Sequence, residues 1–281
     1  MYYLLSDFQT LEEGLAINLI YATLNVHTHR MLNLTHLKKH FNKGTPNEVL
    51  ALDDCTLTIE KGEFVLLVGS NGSGKSTLLN LVAGAYFPDE GNIYIEGTDV
   101  TRLKDYQRSK FIARVFQDPM AGTAADLSII DNFRLAALRT KRKTFKTGVN
   151  DSFKMKVSDR LSILELGLEN KLDTLVGKLS GGQRQALTLL MSVMDESKIL
   201  LLDEPTAALD PKSAEKIMKI AEKVIQELNL TAMLVTHNMH YAVSYGTRLL
   251  MLQQGQVIKD YPSALKKKLL VTELYSWFER P

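Results

Sequence analysis

Apolar residues fall into two kinds of run along this chain. Unbroken, β-rich runs occupy residues 64–68 and 199–202, with another strand pattern at 232–236, as expected of strands covered on both faces of a sheet. Between them, apolar positions recur at helical spacing over 76–83, which closes at Gly84, and over 214–228; a glycine just past the last periodic residue is a favoured helix stop. Ahead of the first buried run, strand-like pieces at 32–34 and 51–59 are separated by turn residues 43–47, and a short β piece at 91–97 follows Pro88 and Asp89. From about Asp126 to Gly177 helical patterns dominate, as in 129–138 and 157–166. Near the end Leu265, Leu269, Leu274, Trp277 and Phe278 recur at roughly helical intervals and predict a C-terminal helix over about 262–279, covering core or a partner surface. Strand–loop–helix units of this kind predict an α/β fold whose halves are separated by a helical insertion.

Residues 1–30 stand apart from that scheme. Leu11, Leu15, Leu19, Ala22 and Val26 lie near helical spacing, interrupted by Asn18, Thr23 and Asn25. No basic leader opens the segment, and Asp7, Glu12 and Glu13 precede its apolar part, so a secretory signal is not expected. Three readings stay open for this extension: an amphipathic helix packed on this or a partner protein, a weakly membrane-associated segment, or an upstream start ahead of a domain that opens at Met31.

Composition narrows the class without naming a chemistry. A chain of 281 residues, 45% hydrophobic, has ample core without staples, and the single Cys55 excludes a disulfide framework and a cysteine-rich zinc site. Lys and Arg number 34 against 32 Asp and Glu, so charge gives no case for a nucleic-acid partner. No unbroken apolar run approaches the roughly 18 residues of a membrane-spanning helix. The basic run 139–146 reads as a solvated loop or helix end, with contact to anionic lipid headgroups as the alternative.

The chemistry enters with Gly69, Ser70, Asn71, Gly72, Ser73, Gly74, Lys75 and Ser76, followed by Thr77. They match G-x-x-x-x-G-K-[ST] at every fixed position, between an apolar strand and a helix. Glycines let the backbone turn and aim its N–H groups at phosphate oxygens, and the following helix adds the positive end of its dipole. Lys75 reaches the β- and γ-phosphates, and the Ser76 hydroxyl is a ligand for Mg²⁺. The second buried run ends in Asp203 and Glu204. An acid at the C-terminal end of such a strand faces the crevice where ligands of these sheets bind. Asp203 is therefore placed to hold Mg²⁺, and Glu204 to polarise an attacking water. Together these motifs define a nucleoside-triphosphatase with a phosphate-binding loop.

Leu179, Ser180, Gly181, Gly182 and Gln183 make the reading specific. Ser180 and the two glycines opening a helix from Gln183 form a second anion site, with a capping hydroxyl and exposed N–H groups. The run resembles the signature motif of the ATP-binding-cassette (ABC) ATPases. Gln117, between Phe116 and Asp118, is similar to that family's Q-loop glutamine, a sensor of Mg²⁺ and the attacking water; Ala208, Leu209 and Asp210 resemble the D-loop; His237 resembles the switch histidine at the γ-phosphate. Phe41 takes the place of the adenine-stacking aromatic, usually Tyr. His240 lacks such support and reads as surface.

The resemblance covers about Leu32 to Gln256. It implies a P-loop NTPase (RecA-like) core with an antiparallel β subdomain and an inserted α-helical subdomain, about 119–187, within a domain over 31–281. It further implies a head-to-tail homodimer sandwiching two ATP molecules with Mg²⁺, docked on integral membrane permease subunits at the cytoplasmic face of the membrane. The 114–125 segment and the 183–190 helix are similar to an importer group associated with amino acids and a periplasmic or lipoprotein substrate-binding protein. An exporter or lipoprotein-release ATPase is the alternative within transport. A non-transport ABC ATPase would be expected to carry a coiled-coil or zinc insertion or a second cassette, and a regulator without turnover to lack Glu204 or His237; this chain shows none of those departures.

Overall fold

The computed structural model describes residues 29–116, 118, 122–138, 148–195 and 197–278. Most of the N-terminal extension, the basic run 139–146 and Gln117 therefore lie outside the described residues. In chain order the strands are β1 (Arg30–Phe41), β2 (Val49–Glu60), β3 (Phe64–Val68), β4 (Glu90–Ile95), β5 (Thr98–Asp99), β6 (Ile112–Val115), β7 (Ile199–Asp203), β8 (Thr231–Val235), β9 (Arg248–Gln253) and β10 (Gln256–Tyr261).

Five of these form a parallel array. The larger sheet has the order β10-β9-β3-β8-β7-β6, and only its edge strand β10 is antiparallel, hairpinned to β9. The smaller sheet, β2-β1-β4-β5, is antiparallel throughout. Every residue of β3 and β8 is buried, and alternation along each strand splits them between two cores. Phe64, Leu66 and Val68 face one core with Leu200, Leu202 and Leu234. Val65 and Leu67 face the other, shared with the smaller sheet and with α1 (Lys75–Ala83).

Register brings the functional ends of the strands together. Leu67 pairs with Val235, Val235 with Asp203, and Leu202 with Val115. The residues that follow, Gly69, Thr236, Glu204 and Phe116, thus emerge along one edge of the sheet, the usual ligand crevice of parallel sheets.

Helix α1 stops at Gly84, whose left-handed backbone (φ 82°) returns an N–H to Asn80 and Leu81. The stop is reinforced by a residue the sequence pattern does not single out. Arg108, at the end of α2 (Asp105–Arg108) and fully buried, donates to the carbonyls of Leu81, Val82, Thr101 and Leu103. Burial pulls its pKa down to about 10.

Between β6 and β7 the described residues hold α3 (Ile129–Ala137), α4 (Asp151–Ser162) and α5 (Gly181–Ser192). Helix α4 starts earlier than its apolar pattern predicts, because Asn150 caps it by accepting from the Phe153 N–H. After β7 come α6 (Pro211–Glu227) and α7 (Met239–Ser244).

The C-terminal stretch corrects the expectation of one helix over about 262–279. It folds as α8 (Ser263–Lys266) and α9 (Val271–Ser276), separated by an extended Leu270. The step from Leu269 to Leu274 is one residue too long for helical spacing, yet both are buried, while Leu265 is exposed. Lys266 also turns inward and donates to the carbonyls of Val243, Tyr245 and Gly246. A continuous helix would satisfy neither demand. Among the described residues, no helix is long and apolar enough to cross a membrane.

Candidate nucleotide site

The loop from β3 to α1 is held by backbone contacts that leave no room for side chains at two glycines. A Cβ on Gly69 would lie 2.3 Å from the Leu252 carbonyl oxygen. One on Gly74, whose φ is +104°, would lie 2.4 Å from that of Ala51. Ser70, Asn71 and Gly72 form the exposed tip, Ser73 is buried, Ser76 is exposed and Thr77 half-buried. Gly74 caps α1 without a side-chain hydrogen bond, so no side chain competes for the N–H groups of the first turn.

Lys75 is 5% exposed. Its Nζ donates to the carbonyls of Gly69 at 2.9 Å and Ser70 at 2.8 Å, with Ser73 Oγ at 3.5 Å. Burial lowers its pKa, and the charges of Glu204 and then Asp203 oppose that shift. The acidic pair at the end of β7 therefore faces the same ammonium.

Glu204 has a left-handed backbone, φ 47°, unusual for a residue other than glycine. Its N–H donates to the Val235 carbonyl at 3.1 Å, fastening it to the end of β8. Such a conformation costs of order 1–3 kcal/mol and persists only where neighbours enforce it. It presents Oε1 to His237 Nε2 at 2.8 Å. His237 leaves β8 just before α7, which Asn238 caps by accepting from the Tyr241 N–H at 3.1 Å. Glu204, His237 and Tyr241 border a hollow of about 290 Å³ that also touches Leu209. His240 is exposed.

The remaining motif residues meet at the starts of α5 and α6. Ser180 caps α5, which opens at Gly181, two residues before the expected Gln183, because the cap precedes both glycines. Ser180 Oγ accepts from the Gln183 N–H at 3.3 Å, and Gln183 Oε1 accepts from the Ser180 N–H at 3.0 Å. Leu179 is buried beneath them. Asp210 caps α6, accepting from the N–H groups of Lys212 and Ser213 at 3.1 Å each. Its hydrogen bonds to Ser213 hold the carboxyl below its ordinary pKa. A Cβ on Gly181 would sit 3.5 Å from Leu209, and one on Gly182 3.5 Å from Ser213, so signature and D-loop segments pack on each other. Ala208 is exposed. Among the described residues no hydrogen bond joins either segment to the 69–77 loop.

Phe41 ends β1 with its ring edge-on to Tyr86 at 5.3 Å and Lys39 Nζ 5.6 Å from its centroid. Tyr86, 41% exposed, carries no motif and is brought to Phe41 only by the fold. Arg114 is likewise invisible to motif reading, apart from being a charge inside the apolar strand β6. Its Nη2 donates to Asp203 Oδ2 at 3.4 Å. Arg114 and Phe116 also line a groove of about 590 Å³ with Ala124, Leu135, Thr188 and Met191. Phe116 and Leu135 are 39% and 54% exposed there.

The donors available for a cation are few and hard. Among the described residues no cluster of three His, Cys, Asp or Glu could hold a metal. The Ser76 hydroxyl and the Asp203 carboxylate suit Mg²⁺, which keeps several waters and takes the rest of its shell from phosphates.

A family profile described as "ABC transporter" matches residues 52–207. A tyrosine transport ATP-binding protein of Clostridioides difficile (strain R20291) is 40% identical over 251 residues, covering 89% of this chain and 99% of the relative. A phosphonates import ATP-binding protein of Lactococcus lactis subsp. cremoris (strain SK11) is 32% identical over 243 residues, covering 84% and 97%. Among solved structures, an ATP-binding cassette in a dimeric, post-hydrolysis state bound to ADP and Pi superposes with a TM-score of 0.70 at 30% identity, covering 83% of this chain and 99% of that one.

Proposed function

The chain belongs to the ABC transporter family and is one of its ATPases, and from that premise we propose that it is the ATP-hydrolysing subunit of an importer for amino acids or similar small solutes. The contact between Glu204 and His237, 2.8 Å apart at neighbouring strand ends beside Lys75, carries the hydrolytic part of this reading. An isolated histidine after a strand is usually structural. Here it meets a carboxylate carried on a left-handed backbone, at the edge where the phosphate loop also emerges.

ATP lies along the loop with its phosphates on the N–H groups of residues 69–77 and on Lys75, while Phe41 stacks on the base. Ser76 and Asp203 would hold the Mg²⁺, with Gln117 as its sensor; bound there, the ion would supply positive charge against the phosphates. Glu204 accepts the proton of the attacking water, and His237 orients Glu204 and contacts the γ-phosphate. The signature residues Leu179–Gln183 serve the nucleotide of a second copy, and Ala208, Leu209 and Asp210 carry the state of one site to the other. A nucleotide that binds the closed dimer better than the open one shifts the population toward closure.

The groove at Phe116 and Leu135 supports docking of membrane permease subunits, since exposed apolar side chains there await a cover. The working place is then the cytoplasmic face of the membrane, with a substrate-binding protein on the far side. The Clostridioides relative's name supports an amino-acid cargo.

Glu204→Gln tests the core of this reading. It keeps the hydrogen-bonding shape and removes the base, so steady-state hydrolysis is expected to fall by about 10²–10⁴. ATP is expected to convert the variant to a lasting dimer in light scattering after size exclusion. Undiminished turnover would remove Glu204 as base.

A further inference from the structure

Arg114 sits inside β6, and its guanidinium meets three features at once. Nη1 donates to Asn80 Oδ1 on α1 at 2.7 Å, and Nη2 to Asp203 Oδ2 on β7 at 3.4 Å. Its Cζ lies 4.8 Å from the centroid of the Phe116 ring. Nε is buried with no hydrogen-bond partner among the described residues. An orphaned buried donor is costly, so the position is poorly suited to packing alone. What it does well is geometric. The ring lies against the guanidinium, Asn80 accepts from one terminal nitrogen, and the other is left to Asp203.

We propose that Arg114 is a positioning residue for the ATPase reaction. Clamped by Asn80 and Phe116, it holds Asp203 Oδ2 and so orients the carboxylate for the divalent cation that would accompany the nucleotide. This rests on the reading of Asp203 as the cation-side carboxylate. Two effects of the guanidinium oppose each other: its charge repels a cation, while its hydrogen bond orders the ligand. Ordering wins, because a partner that orients a metal ligand is typically worth about 10–100-fold in metal affinity, and the charge is already paired with Asp203.

Arg114→Lys separates the two effects. It keeps the charge, but an ammonium on a flexible stem cannot hold Asn80 and Asp203 together in one plane. Asn80→Leu removes the clamp and leaves the arginine. The experiment uses the full chain, ADP to avoid turnover, and Mn²⁺ as a probe visible by electron paramagnetic resonance. ADP binding in EDTA is measured first by calorimetry; if the wild type fails to bind, the nucleotide reading itself falls. Mn²⁺ is then titrated into the protein–ADP complex and its free signal followed. Arg114→Lys is expected to weaken Mn²⁺ binding about 10-fold, with ADP affinity in EDTA and thermal midpoint near wild type. Asn80→Leu is expected to act in the same direction, and the double variant to add little to either single change. Wild-type Mn²⁺ affinity in both single variants would overturn the proposal. Tighter Mn²⁺ binding by Arg114→Lys would also overturn it, showing Arg114 to be only a repelling charge.

Discussion

Among the described residues two lysines are almost wholly buried, Lys75 at 5% exposure and Lys266 at 4%. Both aim their ammonium groups at backbone carbonyls, and in both burial lowers the pKa against an opposing carboxylate. Their surroundings differ in one decisive respect. Lys266 has three N–H donors and three carbonyl acceptors, those of Val243, Tyr245 and Gly246; its valence is filled, and it fastens α8 to the end of α7. Lys75 has two carbonyls and a hydroxyl at the outer limit of hydrogen bonding. It also faces two acids and a helix start that no side chain caps. Burial and a lowered pKa do not by themselves mark a functional lysine. The role proposed for Lys75 rests instead on unfilled hydrogen-bonding capacity beside open N–H groups.

That contrast fails most visibly if the two lysines respond alike to removal. Lys75→Ala is expected to weaken ADP and ATP binding by about 10²-fold or more, as two charge-assisted contacts to phosphate are lost at about 1.5–3 kcal/mol each. Its unfolding midpoint is expected to stay close to wild type, because the released carbonyls border an exposed loop. Calorimetry and a urea titration read the two quantities; normal binding would refute the phosphate role. Lys266→Met is expected to do the reverse. Leaving buried carbonyls without donors costs about 1–3 kcal/mol, seen as a lower urea midpoint, while ADP affinity stays within about twofold.

The two sites were also unequally legible. The phosphate loop, Asp203, Glu204, the signature and His237 lie in short contiguous motifs, so residue order alone is enough to propose a chemistry for them. Lys266, Arg114 and Tyr86 act through tertiary contacts with residues far away in the chain, and no local pattern announces them. The fold divides in the same way. Strands buried on both faces, β3, β7 and β8, are found within a residue of their apolar runs. Strand β6 is hidden by Arg114, and β10 by its half-exposed alternation as an edge. Strand β1 extends well past 32–34, since the left-handed residue at His36 shifts its register and breaks the period. Helical spacing likewise suggested one terminal helix because it cannot register a lysine turned inward.

A smaller test compares the capped start of α5 with the uncapped start of α1. Ser180→Ala is expected to cost about 1 kcal/mol of stability through loss of the cap, with ADP binding by the single chain unchanged. In the Glu204→Gln background it is expected to weaken the ATP-dependent dimer, measured by light scattering. A dimer of undiminished stability would confine Ser180 to capping.

The smallest expected effect is the pH dependence that the filled site imposes. Lys266 has its pKa lowered from 10.5 to about 8. Between those values the unfolded chain binds more protons at this position than the folded one, so its contribution to stability rises with pH. It is fully present above the unfolded value and lost as pH falls through about 8. Glu222 of α6 faces the ammonium and opposes the shift, while Glu215 is engaged by the Tyr245 hydroxyl. Other groups with moved pKa values, Lys75 and Cys55 among them, titrate alike in wild type and in Lys266→Met, so they cancel in the difference between the two. That difference is expected to grow by on the order of half a kcal/mol between about pH 7.5 and 8.5. Urea titrations at both values read it directly. A difference that shrinks over this interval would mean that the charged ammonium is favoured inside the protein, and the contrast with Lys75 would then rest on hydrogen-bonding capacity alone.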